Sequence, residues 1–131
     1  IVKSTTTIQE TKVNSVLSSE DFFLYQKLVK NVPVADNVIE YAVNIVNKTR
    51  NINNSNSNEL INNWLDWGAG PRASMYLILA AKAKAILDGK TTPEIADVQK
   101  MINPVLRHRI IPSFNAEADN VSRDEILEKL L

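Results

Sequence analysis

Apolar residues recur every three or four positions along most of the chain, and this spacing predicts amphipathic α-helices. The first helix is predicted from Ser18 or Ser19 to about Asn31, because the proline at position 33 forces the residue before it out of the helical region. The second helix is predicted to be capped by Asp36 and to end at Thr49-Arg50. Its buried stripe is expected to consist of Val38, Ile39, Ala42, Val43 and Val46.

The central helix is predicted from Pro71 to Leu87 and is the most apolar of the chain. Pro71 suits the first helical position, because its fixed φ is helical and its missing N–H would have no partner there. Gly89 suits the left-handed residue that often ends a helix. Alanines on several sides let neighbouring helices approach closely. The bulk on the packing side is expected to come from Met75, Leu77, Ile78, Leu79 and Ile86.

Two further helices are predicted in the last third of the chain. Thr92-Pro93 provides a cap and a first helical residue, and this helix is expected to run to about Asn103, where the following proline should kink or end it. Residues 107–112 are predicted to be extended. Ser122 and Glu125 form a capping box that begins a terminal helix. The apolar residues of that helix are Ile126, Leu127, Leu130 and Leu131.

The remaining segments carry weaker patterns. Residues 1–17 are rich in threonine and are predicted to be an extended lead-in with a strand near Thr11–Val16, or a linker that only a neighbouring domain orders. Residues 51–58 contain only asparagine and serine besides Ile52, which predicts a mobile surface loop. A short helix is predicted over Glu59–Trp64. The pattern as a whole predicts an all-α, four-helix bundle with an extended N-terminal lead-in and a short C-terminal helix.

Length and composition restrict the function. A chain of 131 residues forms one domain, and its formal net charge of +0 provides no basic footprint for nucleic acid. The absence of cysteine excludes disulfides, thiolate metal sites and cysteine nucleophiles. The longest apolar run is too short to cross a membrane, and no signal peptide is visible. We therefore expect a soluble, cytoplasmic protein. Because the chain begins with Ile1-Val2, we also expect it to be a piece of a longer protein.

The glycine-rich turn before the central helix carries the main candidate for chemistry. Gly68 and Gly70 allow the backbone to turn sharply, and Arg72 follows in the first helical turn. The helix dipole disfavours a cation there. The position makes sense if an anion, most often phosphate, is shared between the arginine and the backbone N–H groups. An ordinary surface arginine is the alternative, and this stretch considered alone favours it.

Gly89-Lys90-Thr91 has the last three residues of a phosphate-binding P-loop, but position 84 is lysine where the motif needs glycine. The tripeptide also follows a predicted helix, whereas a P-loop follows a strand, so we read it as the end of that helix. His108 is the only histidine and cannot form an ordinary zinc site without cysteine or a second histidine. No metal site is therefore predicted, and His108 is expected to be packed and hydrogen-bonded at a junction between elements.

The other polar and aromatic candidates favour structural roles. Trp64 and Trp67 are expected to be packing anchors, and Asp66 and Asp88 are expected to lie at helix ends. A solvated acidic face is predicted at Glu117, Asp119 and Asp124.

Several motifs, in matching order and spacing, resemble the C-terminal lid of MoxR-type AAA+ ATPases over Leu17 to Leu131. They are Gly68-Ala69-Gly70-Pro71-Arg72-Ala73-Ser74, the alanine-rich helix ending at Gly89, the segments 92–98 and 105–109, Tyr41 with Thr49-Arg50, and the closing segments 117–118 and 121–127. In this family the arginine of G-x-S-P-R-A is the sensor 2 residue that reaches the γ-phosphate. The resemblance therefore implies that Arg72 is the catalytic and ATP-binding residue. One departure is Gly70, where the family usually has serine.

The resemblance implies that residues 18–131 form a helical lid and that residues 1–17 link it to an upstream P-loop domain. The full-length protein would bind ATP and Mg²⁺ and hydrolyse ATP. This chain has neither Walker motif, so we expect it to bind no cofactor and to have no ATPase activity by itself. The expected partners are the P-loop domain of the same chain, neighbouring subunits of a ring, and proteins with von Willebrand factor A domains. The implied role is chaperone-like maturation of client proteins.

A free-standing helical interaction module without nucleotide chemistry is the competing hypothesis. Its binding surface would be a basic patch formed by Lys100, Arg107, His108 and Arg109. The neutral charge and the lack of a clear helix-turn-helix argue against DNA as its ligand.

Overall fold

The computed structural model describes Thr6, residues 14–50 and residues 59–131. The predicted loop at 51–58 and most of the predicted lead-in at 1–17 lie outside the described residues. In chain order the elements are α1 (Ser19–Asn31), α2 (Asp36–Lys48), α3 (Glu59–Trp64), β1 (Leu65–Trp67), α4 (Arg72–Leu87), α5 (Ile95–Leu106), β2 (Ile111–Pro112), α6 (Phe114–Ala118) and α7 (Arg123–Glu128). The all-α prediction is confirmed. The sequence did not predict α6 or the short antiparallel pair of β1 and β2.

Helix α4 is the centre of the bundle and packs against α1, α2 and α5. Its buried residues are Ala73, Leu77, Ala81 and Ala85, which recur every four positions and so form one stripe. The predicted packing side was partly wrong: Leu77 is buried and Ile78 packs against the core, but Met75 is 64% exposed and Leu79 and Ile86 are only partly buried. Small residues occupy the buried stripe because the neighbouring helices approach the α4 backbone there.

Helix α2 buries Val38, Ala42, Ile45 and Val46. The predicted stripe was therefore partly wrong: Ile39 and Val43 lie at the edge of the apolar arc and are exposed, while Ile45 lies in its middle. The predicted cap was also wrong. Ala35 is the N-cap and makes no side-chain hydrogen bond, and Asp36 is the first helical residue, where its charge still favours the helix dipole.

Helix α1 begins and ends as predicted. Ser18 caps it, and the carboxylate of Asp21 accepts a hydrogen bond from the backbone N–H of Ser18, which completes a capping box. The helix nevertheless has no buried residue. Its exposed apolar residues, together with two that precede it, are Val16, Leu17, Phe22, Phe23, Leu24, Tyr25 and Leu28. We call this group the α1 apolar surface.

The ends of α4 follow the predictions closely. The helix begins at Arg72, one residue after the predicted start, and Pro71 is its N-cap with helical dihedral angles (φ −57°, ψ −29°). Gly89 has a φ of 74°, as predicted for a left-handed helix stop. The N–H groups of Gly89 and Lys90 donate to the carbonyls of Ile86 and Ala85, which is a Schellman motif.

Helix α5 begins and ends later than predicted. Its N-cap is Glu94, not Thr92, because Asp97 accepts from the backbone N–H of Glu94 and completes a capping box there. Pro104 lies inside the helix and does not end it. The helix continues because Val105 and Leu106 are buried in the core, while Pro104 lies on the exposed side.

The C-terminal part closes one end of the bundle. Residues 107–109 form a turn, so the predicted extended segment is reduced to β2. The hydroxyl of Ser113 donates to the backbone carbonyl of Asn63 over 2.6 Å and also accepts from Ala116, which joins α3 to the start of α6. The capping box of Ser122 and Glu125 is confirmed. The apolar residues after it are buried except Leu131.

Replacing a residue of the α4 stripe should cost far more stability than replacing one of the α1 apolar surface. Leu77→Ala leaves a cavity among buried neighbours and should lower the free energy of unfolding by about 3 kcal/mol. Phe23 is 65% exposed, and Phe23→Ala should change it by less than about 1 kcal/mol. Urea unfolding followed by circular dichroism measures both. Equal losses would contradict the described packing.

Asp97 should make the stability of the chain depend on pH in the acid range. Its carboxylate is buried, which opposes ionisation, but the N–H of Glu94 and the ammonium of Lys90 at 3.0 Å outweigh this and lower the pKa of Asp97. A lowered folded pKa means that the stabilisation is complete above the ordinary value of about 4 and is lost as the pH falls through the folded pKa.

The measurement is urea unfolding of the unmodified chain and of Asp97→Asn between pH 7 and pH 3. The variant should be less stable by about 1–2 kcal/mol at pH 7, because a charge-assisted hydrogen bond is lost. This difference should shrink below about pH 4. A difference that stays constant over the whole range would show that ionisation of Asp97 does not contribute.

Candidate functional site

The turn between β1 and α4 is held against the end of α2 by Thr49. The backbone N–H of Ala69 donates to Thr49 Oγ1 over 2.9 Å, and this hydroxyl donates to the carbonyl of Val46 over 2.6 Å. Gly68 lies so close that an added Cβ would overlap the carbonyl oxygen of Thr49. Glycine is therefore required at position 68 by close approach of two backbones.

Arg72 is the first residue of α4 and is exposed. Within the part of the chain that the structure describes, no carboxylate lies within ion-pair distance of it, and its side chain has no hydrogen bond. The first turn of α4 also contains no acidic residue. Among the described side chains, the positive end of the helix dipole and the guanidinium thus have no countercharge, an arrangement that favours an anion.

A cleft of about 290 Å³ opens beside this turn and is lined by Arg50, Trp67, Gly68 and Gly70. Trp67 was predicted to be a packing anchor, and this was wrong, because it is 69% exposed and belongs to the wall of the cleft. Arg50 was not predicted as a site residue. It follows Thr49 directly, and only the fold brings the end of α2 next to the turn before α4.

Of the other candidates, Trp64 packs against the core and Asp88 lies at a helix end, as predicted. Trp64 is partly buried, and its indole N–H donates to Asp119 over 2.9 Å. Asp88 is the C-cap of α4 and pairs with Lys84, and the hydrogen bond from that lysine lowers the pKa of Asp88. The prediction for Asp66 was wrong, because it lies in β1 and is not at a helix cap.

His108 lies at a junction between α5 and β2 and is hydrogen-bonded, as predicted, but the prediction that it is packed was wrong. The residue is exposed in the turn after α5, and its ring nitrogen contacts the guanidinium of Arg109. Hydrophobic contacts of α5 end at Leu106, so nothing draws the imidazole into the core. The tripeptide Gly89-Lys90-Thr91 ends α4 as expected. Lys90 contacts Glu94 and Asp97, and both hydrogen bonds raise the pKa of Lys90.

The basic patch of the competing hypothesis is largely committed to internal contacts. Arg107 pairs with Asp124 over 3.1 Å. The guanidinium of Arg109 lies 5.0 Å from the centre of the Tyr76 ring and donates to the carbonyl of Val105. Two of the four side chains of the patch, Arg107 and Arg109, are therefore engaged in contacts within the structure.

Two further findings concern the described residues only. In residues 14–50 and 59–131 no group of three or more histidine and carboxylate side chains could hold a metal ion. No helix in those ranges has both the length and the apolar character needed to cross a membrane.

Comparisons with known proteins bear on this arrangement. The family model for the AAA lid domain matches residues 58–130. The chain is 31% identical over 120 residues to chaperone MoxR1 of Mycobacterium tuberculosis, a match covering 92% of this chain and 32% of that protein. It is 29% identical over 116 residues to the uncharacterized protein YeaC of Bacillus subtilis, with 88% of this chain and 33% of that protein covered. The chain thus spans about a third of the length of these curated relatives.

The fold is also similar to that of a solved structure. A crystal structure of a candidate ATPase from Cytophaga hutchinsonii superposes with a TM-score of 0.80 at 22% identity and covers 98% of this chain and 39% of its own. At this identity the match concerns the fold alone.

The two glycines of the turn before α4 should respond differently to substitution. A Cβ at Gly70 would meet nothing within 4 Å, so Gly70→Ser should be accommodated and should raise the free energy of unfolding by about 0.5 kcal/mol, because the unfolded chain loses freedom. Gly68→Ala should lower it by about 2 kcal/mol or more, because the methyl group collides with Thr49. Urea unfolding measures both, and a neutral Gly68→Ala would contradict the close approach.

Proposed function

The chain is an AAA lid domain of the MoxR type, and from this premise we propose that it closes over ATP bound by a preceding P-loop domain and places Arg72 against the γ-phosphate. In this proposal residues 18–131 are the lid and residues 1–17 are the linker to that domain. The single observation that carries the proposal is the position of Arg72: exposed, without a countercharge among the described residues, and at the positive end of α4.

The chemistry of a guanidinium suits this role. Its planar fork of donors matches phosphate oxygens, and its charge does not depend on pH. Phosphoryl transfer needs little from a protein beyond positioning and stabilisation of charge on the transferring group. ATP would supply the reacting phosphates, and Mg²⁺ would be held by groups outside this chain. The contribution of this chain is then to bind and orient the terminal phosphate when the lid is closed.

The cleft beside Arg72 supports a binding surface at this end of α4. Arg50 and Trp67 line it together with the backbone of Gly68 and Gly70. The cation of Arg50, the exposed ring of Trp67 and the backbone of the two glycines are all groups that can contact a bound nucleotide. The exposed surface of the lid at this point is therefore the one that we expect to meet the bound ATP.

A second surface supports docking against protein. The α1 apolar surface is exposed although it contains two phenylalanines, a tyrosine and two leucines within one helix. Contiguous apolar surface of this kind usually marks a contact with another domain or protein. We assign it to the preceding ATPase domain of the same chain.

The wider role of the protein is proposed from the names of its relatives. MoxR1 is described as a chaperone, and we propose that the protein containing this lid couples ATP binding and hydrolysis to maturation of client proteins. Neighbouring subunits of a ring and proteins with von Willebrand factor A domains are its proposed further partners.

The test is Arg72→Ala in the full-length protein. If the guanidinium stabilises the transferring phosphoryl group, kcat for ATP hydrolysis should fall by about 100-fold. Arg72→Lys keeps the charge but loses the fork of donors, and it should recover only part of the rate.

Arg123→Ala is the matched control, because Arg123 is also an exposed arginine at the first position of a helix. Its rate should stay within about twofold of the unmodified enzyme, as expected for a surface substitution. An Arg72→Ala enzyme with the same kcat as the control would refute the role of Arg72 at the γ-phosphate.

A further inference from the structure

Thr49 is one of three polar residues that are buried among the described side chains, the others being Asp97 and Ser113. All three lie at helix ends: Asp97 completes the capping box of α5, Ser113 is the N-cap of α6, and Thr49 is the C-cap of α2. Like Ser113, Thr49 also makes a contact with a residue distant in sequence. Its hydroxyl, in a residue that is 1% exposed, accepts from the N–H of Ala69, which is 20 positions away in the sequence.

The hydroxyl of Thr49 makes two hydrogen bonds, one as donor and one as acceptor. It donates its proton to the carbonyl of Val46 over 2.6 Å, so its lone pairs are free for the N–H of Ala69 at 2.9 Å. Gly68 adds a steric component, because it packs directly against the Thr49 carbonyl. One polar contact and one steric contact therefore fix two successive residues of the turn to the last turn of α2.

The path from this anchor to Arg72 is short and mostly stiff. Only Gly70 and Pro71 separate Ala69 from Arg72, and the ring of Pro71 fixes its φ. The N–H of Ala73 donates to the carbonyl of Gly70 over 2.9 Å, and the hydroxyl of Ser74 donates to that of Pro71 over 2.7 Å. Gly70 is the exception, since nothing lies within 4 Å of where its Cβ would be.

We propose that Thr49 is a positioning residue for Arg72: its hydroxyl holds the turn before α4 against α2 and so directs the guanidinium toward the phosphate. The inference rests on the proposed function of Arg72. Nothing lies where a Cβ of Gly70 would be, so the turn is held on one side of Gly70 by the anchor at Ala69 and on the other by the buried Ala73. Arg50 follows Thr49 directly, so the same anchor also sets the spacing between the two walls of the cleft.

Thr49→Val and Thr49→Ser separate the hydroxyl from the shape of the side chain. Valine keeps the volume but leaves the buried N–H of Ala69 without its acceptor, whereas serine keeps the hydroxyl and loses one methyl group. In the full-length protein, Thr49→Val should lower kcat for ATP hydrolysis by about 10-fold or more. In Thr49→Ser, kcat should stay within about threefold of the unmodified enzyme. In the 131-residue chain, amide exchange of Ala69 should become faster in Thr49→Val and should not change in Thr49→Ser.

The decisive measurement is a double-mutant cycle with Arg72→Ala. If Thr49 acts through Arg72, adding Thr49→Val to Arg72→Ala should reduce kcat by less than about twofold further, because residues that act as one unit have strongly non-additive effects. A full 10-fold further loss would show that Thr49 acts independently of Arg72, and the proposal would be wrong.

Ser113→Ala is the matched control for lost stability, because it also removes a buried hydroxyl that joins two elements. At a temperature where all variants are folded by circular dichroism, it should leave kcat within about twofold. Should Thr49→Val unfold the protein, Thr49→Cys at reduced temperature provides the same cycle with a much weaker acceptor, and Thr49→Ser remains the variant that keeps the hydroxyl.

The outcomes also distinguish this inference from the proposed function. An unchanged kcat in Arg72→Ala overturns the role of Arg72 itself. A large effect of Arg72→Ala combined with no effect of Thr49→Val overturns only the positioning role.

Discussion

Close packing along one stripe of α4 is the constraint on which the rest of the bundle depends. Ala73, Leu77, Ala81 and Ala85 are buried where α2 and α5 approach the helix. The stripe also determines the direction in which the first side chains of the helix point. Successive helical residues point about 100° apart, so burying Ala73 turns the side chain of Arg72 away from the core. The packing that stabilises the domain and the exposure of its main candidate residue have the same cause.

Buried polar side chains hold the joints between elements rather than the core itself. Asp97 and Ser113 supply acceptors to the first turns of α5 and α6, which would otherwise have unpaired N–H groups. Thr49 supplies an acceptor to a turn that is not helical. Each of these groups is satisfied by hydrogen bonds, as burial requires. The Thr49 contact differs in lying next to residues that line the cleft, and the proposed positioning of Arg72 depends on this location.

The exposed features of the described residues fall into two kinds. The cleft near Arg72 is lined by one cation, one aromatic ring and the backbone of two glycines, and we propose that it faces the nucleotide. The α1 apolar surface consists of exposed apolar residues, and we propose that it contacts the preceding ATPase domain. In the proposed function the lid meets both nucleotide and a neighbouring domain, and each of the two surfaces serves one of these contacts. The paired arginines near Tyr76 and Asp124, by contrast, serve the internal structure of the lid.

The helices other than α6, the ends of α1 and α4, and the family could be read from the sequence. Helical periodicity, the capping boxes at Ser18 and Ser122, and the glycine at position 89 act within a few residues, so they can be read locally. The motif around Arg72 identified the lid for the same reason. Tertiary structure alone decided which face of α4 is buried, that α5 continues past Pro104, and that Trp67 and His108 are exposed. It also decided that Thr49 and Arg50 lie beside the turn before α4, because contacts between residues distant in sequence depend on how whole helices pack and leave no periodic signal in the chain.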